Sequence, residues 1–129
     1  MSQPSSIITL TNTSGSPCVL NGYPTITGAW TKKGSKPISV SRGNVQNAPQ
    51  VKPKRIVVAP GGHAWFAIGA ATAYDPPIVT FTRMAIATQA GTSVAGSLTV
   101  RLQLQASAPT GQPFPIGVTP YAPGIGTGQ

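Results

Sequence analysis

The chain has 129 residues, nine Lys and Arg against a single acid, Asp75, and a formal net charge of +8. Charged residues are 8% of the total, far below the ~25% of an ordinary soluble domain, and 15 glycines with 14 prolines argue against a helical bundle. One cysteine excludes an internal disulfide framework. No apolar run reaches the ~20 residues of a membrane-spanning helix, and Met1-Ser2-Gln3-Pro4 reads as no secretory signal.

Along the chain the dominant period is two. Ile7 to Thr11 predicts a short strand, ended by turn chemistry at Asn12-Thr13-Ser14-Gly15-Ser16-Pro17. Cys18-Val19-Leu20 resumes the sheet, Asn21-Gly22 offers a tight turn or bulge, and Thr25-Ile26-Thr27 predicts another strand. Lys36 to Val40 is a weaker strand candidate. Arg55 to Ala59 and His63 to Ile68 read as consecutive strands around Pro60-Gly61-Gly62, and Ile78 to Thr82 adds one more. The clearest element is Ser97 to Gln105. There Leu98, Val100, Leu102 and Leu104 face one way while Thr99, Arg101, Gln103 and Gln105 face the other, the pattern of a half-buried strand. Ala64 to Ala73 is rich in alanine but fits a strand as well as a helix. The expectation is an all-β, antiparallel sandwich of about seven or eight strands. Residues 1–105 would form its core and residues 106–129 an extended, uncharged Pro/Gly-rich arm, with Phe114 to Val118 able to form a last short strand.

The inventory for catalysis is thin. One carboxylate (Asp75), one imidazole (His63) and one thiol (Cys18) cannot supply paired-carboxylate chemistry within one subunit. The same residues lack the spacing of a zinc site, and no phosphate-loop or dinucleotide-binding motif is present. A Cys-His-Asp triad is conceivable on paper without any local signature. The expectation is therefore no enzymatic activity, no metal and no cofactor. Cys18 reads as a small buried hydrophobe in register with Leu20, and His63 as a strand-end imidazole with a local partner.

Two blocks carry a family resemblance. Thr11-Asn12-Thr13-Ser14-Gly15-Ser16-Pro17-Cys18-Val19-Leu20-Asn21-Gly22-Tyr23-Pro24 resembles the asparagine-threonine turn and Cys-x-Leu-x-Gly-Tyr-Pro signature of the DUF4232 family. Ile56-Val57-Val58-Ala59-Pro60-Gly61-Gly62-His63-Ala64 is similar to that family's apolar strand followed by Ala-Pro-Gly-Gly. The resemblance covers the first half of the chain and implies an immunoglobulin-like β-sandwich. It implies no catalytic residues; the family is common in actinobacterial secreted proteins and lipoproteins, whereas this chain, with no export signal or second cysteine in view, reads as that fold reused in a different setting. Family members usually carry a second cysteine, and Cys18 has no such partner here.

What remains is the charge. Lys32, Lys33, Lys36, Arg42, Lys52, Lys54 and Arg55 fall within one stretch without an acid near them in sequence, and so large an imbalance steers a protein toward anionic partners. Phe114, Ile116, Tyr121 and Ile125 would let the C-terminal arm bury apolar surface against a neighbouring subunit. Together these features predict a structural or adhesive protein of a multi-subunit assembly with an acidic surface, in concrete form a virion accessory protein such as a capsid decoration protein. Self-association is a further way to use the arm. The alternative is a cell-envelope binding module of the DUF4232 type. A nucleic-acid module is disfavoured, because no recognition motif is present and only Trp30 lies near the cations.

Overall fold

Runs with period-two alternation become strands, because only an extended backbone sends successive side chains to opposite faces. The computed structural model describes residues 5–43, 45, 52–70, 78–87, 97–108 and 111–124. In chain order the strands are β1 (Ser5–Thr11), β2 (Cys18–Asn21), β3 (Thr25–Thr31), β4 (Gly34–Ser35), β5 (Ile38–Arg42), β6 (Arg55–Val58), β7 (His63–Ala70), β8 (Ile78–Ala87), β9 (Ser97–Ser107), β10 (Phe114–Val118) and β11 (Ala122–Pro123). There is no helix among the described residues, so none is long and apolar enough to cross a membrane.

The strands form a sandwich. One sheet has the order β1-β7-β10-β5, with β11 also paired to β7; the other has the order β4-β3-β8-β9; β2 and β6 form a separate two-stranded ribbon. Between the layers Phe66, Ile68, Phe81, Met84, Ile86, Leu104, Ile116, Val118 and Tyr121 are fully buried. Phe81 of β8 meets Phe114 of β10 edge to face at 5.6 Å, and Phe66 meets Tyr121 in the same way at 5.9 Å. On β9 Leu104 is buried, Val100 and Leu102 pack against the core half-buried, and Thr99, Arg101 and Gln105 are exposed, as the alternation predicts. The Leu98 side chain lies outside the described residues. Ala64 to Ala70 is strand, not helix.

The all-β sandwich is as expected, with two refinements of detail and one correction. Eleven strands occur among the described residues, more than seven or eight, because β4, β10 and β11 add short pieces. The pairing is not wholly antiparallel: β10 runs parallel to β5, from Phe114↔Ile38 to Val118↔Arg42. The stretch after residue 105 is not an arm beside a finished core. β9 runs through to Ser107, and β10 sits inside the sheet between β5 and β7. Ile116 and Tyr121 are 0% exposed and Phe114 is half-buried against Phe81, so these side chains are already occupied within their own subunit. Ile125 lies outside the described residues. Proline does not prevent this packing. Pro115 lies one residue beyond the stretch of β10 paired with β7, where its missing N–H takes no bond from that ladder, and Pro120 is itself a fully buried apolar side chain.

Candidate functional site

The two sequence blocks that resemble the DUF4232 signature form one structural joint. Asn12 is 6% exposed and fully bonded. Its side-chain amide donates to the Ser16 carbonyl at 2.8 Å and the Val58 carbonyl at 2.9 Å, while its side-chain oxygen accepts from the Ser14 amide and hydroxyl. The Asn12 amide donates to the Gly62 carbonyl, and the Gly61 amide to the Asn12 carbonyl. Cys18 is buried beside this turn, its thiol 3.8 Å from the Ser14 hydroxyl and 3.9 Å from the Ser16 carbonyl. His63 shares a 3.0 Å hydrogen bond with Thr11. Each of these groups holds a turn or a strand end, and Asp75 lies outside the described residues. Among those residues no group of three metal-ligating side chains forms. A cleft of about 370 Å³ opens beside the joint, walled largely by Ile8, Leu10, Leu20, Val58 and Val100 with Cys18 at its side.

The basic stretch does not form one patch. Lys32 and Lys33 are the two turn residues of the β3–β4 hairpin, closed by the pair Thr31↔Gly34. The Thr31 hydroxyl braces that turn, accepting from the Lys33 amide at 3.1 Å and donating to the Gly34 carbonyl at 3.3 Å. Gly34 stands at φ 132°, a backbone state a β-carbon would strain. Lys36 follows directly, its amide bonded to the Ala29 carbonyl. The three lysines then line a cleft of about 510 Å³ with Thr31, Ile78, Thr80 and Thr82 of β3 and β8.

Arg42, Lys54 and Arg55 belong to the opposite end of β3. The Arg42 guanidinium lies 5.3 Å from the Tyr23 ring centroid, Lys54 accepts from the Gly22 amide through its carbonyl, and Arg55 pairs across from Asn21. Lys52 is exposed two residues before Lys54. Seven residues of β3 separate the two groups, which at ~3.3 Å per residue is roughly 20 Å. Charges that far apart are screened from one another at moderate salt, where the Debye length is ~8–10 Å. They are two sites.

Two further cations lie on the same sheet as the lysine cleft. Arg83 and Arg101 sit directly opposite each other on β8 and β9, both exposed, and Arg83 is also the cross-strand partner of Trp30. The Arg83 guanidinium lies over the Trp30 ring at 4.7 Å. Like charges directly opposite cost ~0.2–1 kcal/mol, and no acid stands among the described residues to offset them. The outer face of the β4-β3-β8-β9 sheet thus carries a run of cations with no acid among the described residues: Lys32, Lys33 and Lys36 at the hairpin, Arg83 and Arg101 across the strands. Local sequence reading leaves these arginines out because they are far from the basic stretch. Their solvent-facing position in a strand was the available signal, and only the β8–β9 register reveals that they meet.

The chain matches, over residues 1–121, the family described as a domain of unknown function, DUF4232. That match extends well past the two blocks in the first half and takes in β10, the strand that completes the sandwich. Searches of the curated proteins and of the solved structures returned no match. With nearly the whole sandwich inside the matched span, and with its signature residues forming the Asn12 joint, the chain belongs to the DUF4232 family.

Proposed function

We propose that the protein is a non-enzymatic adhesive module that holds an anionic surface through the outer face of its four-stranded sheet. The observation that carries this reading is the convergence of Lys32, Lys33 and Lys36 on one cleft, on the same sheet as the exposed Arg83–Arg101 pair. Cations that approach one another raise a local positive potential, which speeds encounter with an anion and strengthens its retention. Cys18 and His63, the side chains a covalent mechanism would need, are engaged in turn and strand-end hydrogen bonds.

The setting that fits best is a cell envelope, the alternative that the sequence left beside a virion. A virion accessory role would rest on the same cations, but the arm expected to anchor such a subunit is folded into the sandwich. Attachment then depends on charge, and an anionic envelope surface supplies what that requires.

The test compares two triple variants that remove equal charge from the net +8. Binding to immobilised dextran sulfate is measured across a salt series for K32Q/K33Q/K36Q and for K52Q/K54Q/R55Q. The first should weaken binding about tenfold and flatten its salt dependence, as lost ionic contacts do. The second should leave both nearly unchanged. Equal losses would mean that net charge alone drives binding, and the reading would fail.

A further inference from the structure

Deepening that reading, and resting on it, we infer that Arg83 and Arg101 form a clamp for a phosphodiester, and that the occupant of the face is a base-free chain of phosphodiesters such as a polyol phosphate. The two arginines are directly opposed on neighbouring strands, which sets their β-carbons ~5 Å apart. The pairing fixes the β-carbons and not the forks: the Arg83 guanidinium rests over Trp30 on the β3 side while Arg101 rises from β9, so the two forks flank the strip between them and a single phosphodiester bound there would accept from both.

The clamp is built, not incidental. Arg83 lies over Trp30, and the six-membered ring of Trp30 reaches back along β3 into the space a side chain at Gly28 would fill. A β-carbon there would stand 2.8 Å from Trp30 Cη2. Glycine at position 28 therefore seats the indole, and the indole holds the guanidinium. Trp30 and Gly28 are positioning residues; Arg83 and Arg101 make the contact.

Several observations choose the occupant. The lysine cleft begins at Thr82, beside Arg83, and extends to Ile78. Four residues of strand cover ~13 Å, so the ligand carries repeated anions rather than one. Thr31 and Thr82 of the cleft already donate to the Gly34 and Trp30 carbonyls, so the donors it offers to phosphate oxygens are chiefly the ammonium groups of Lys32, Lys33 and Lys36. Nucleic-acid bases want free aromatic faces, and Trp30 is half-buried and capped by Arg83. A protein partner wants an apolar centre with aromatic anchors, and the large exposed hydrophobe of this cleft is Ile78 alone, among the described residues.

The experiment titrates the full chain with three oligomers of equal charge: poly(glycerol phosphate), polyglutamate and oligothymidylate. It follows affinity by calorimetry and the arginine Nε–Hε resonances by NMR. Poly(glycerol phosphate) should bind most tightly and shift the Arg83 and Arg101 signals. R83K/R101K keeps the charge but loses both forks, and should weaken this binding about tenfold while leaving polyglutamate binding almost unchanged. Gly28→Ala should move the Arg83 Nε–Hε signal before any oligomer is added, and should weaken the phosphate complex too. Tighter binding of polyglutamate would identify an acidic protein partner and overturn the inference, and tighter binding of oligothymidylate would do the same in favour of a base-reading site. If R83K/R101K binds as wild type while K32Q/K33Q/K36Q loses binding, the clamp is wrong and the adhesive reading stands. If neither variant loses binding, both fail.

Discussion

The Asn12 side chain reaches across 46 residues to donate a 2.9 Å hydrogen bond to the Val58 carbonyl. That bond closes the ends of β1 and β6 on one buried amide whose remaining donor and acceptor positions are filled by Ser16 and Ser14. Removing it would strand the buried Val58 carbonyl, and an unsatisfied buried group costs ~1–3 kcal/mol. Asn12→Ala should therefore lower unfolding free energy by about 2–4 kcal/mol in urea denaturation. Asn12→Asp should do at least as badly, since it swaps a donor for a buried charge facing carbonyls. Unchanged midpoints in both variants would show that the joint does not hold the sandwich.

Tyr121 presents the opposite case. Its ring is fully buried against Phe66, yet its hydroxyl finds no hydrogen-bond partner among the described residues. Tyr121→Phe should thus be neutral or stabilise by up to about 1 kcal/mol. Burial pushes the Tyr121 hydroxyl up to about 12 from 10.0. A folded-state value above the unfolded one means that the neutral ring stabilises the fold fully below pH 10, and that this contribution is lost as pH climbs from 10 toward 12. Wild type should lose stability over that window more steeply than Tyr121→Phe, which a pH series of thermal melts will read.

The C-terminal strands are structural, so truncation should unfold the protein. A chain ending at Ala108 lacks β10 and β11, and with them the buried Ile116, Val118 and Tyr121. Burying such side chains contributes ~1.5–3 kcal/mol each, a sum comparable with the whole stability of many domains. Far-UV circular dichroism and amide dispersion should report loss of the sheet. A chain ending at Gly124 keeps every described pairing and should fold. A folded protein ending at Ala108 would restore the idea of a detachable arm.

Gly62 tests the turn between β6 and β7. A β-carbon there would lie 2.9 Å from the Ala59 carbonyl oxygen, which is itself the acceptor for the Gly62 amide. Backbone cannot yield as a side-chain tip can, so Gly62→Ala should cost about 1–3 kcal/mol. Alanine at Gly15, where nothing lies within 4 Å, is the control and should cost little.

The strands were legible where one face meets water and the other the core, as on β9. Legibility failed where packing overrides the local pattern. On β8 the register shifts between Phe81 and Arg83, so the buried positions step from Phe81 to Met84 and the alternation loses phase. The sequence after Thr82 therefore carries no clear signal, although the strand runs on to Ala87. Pro and Gly after residue 105 suggest a loose arm, yet Pro120 packs as an apolar core residue and Pro115 avoids the ladder position that would need its N–H. The candidate site divided in the same way. Lys32, Lys33 and Lys36 could be found as neighbours in sequence; Arg83 and Arg101 become neighbours only through strand pairing.

The place of β10 inside its sheet governs how the protein can be made. Its parallel partner β5 and its antiparallel partner β7 both precede it by dozens of residues. As the chain leaves a ribosome, β5 and β7 must wait with open edges until Val118 has emerged, so the sandwich closes late. Such unpaired edges invite pairing with other nascent chains. A copy stalled or ended before Val118 would expose them for as long as it survives, which makes the stretch of translation between β7 and β10 the interval in which this protein most needs a chaperone.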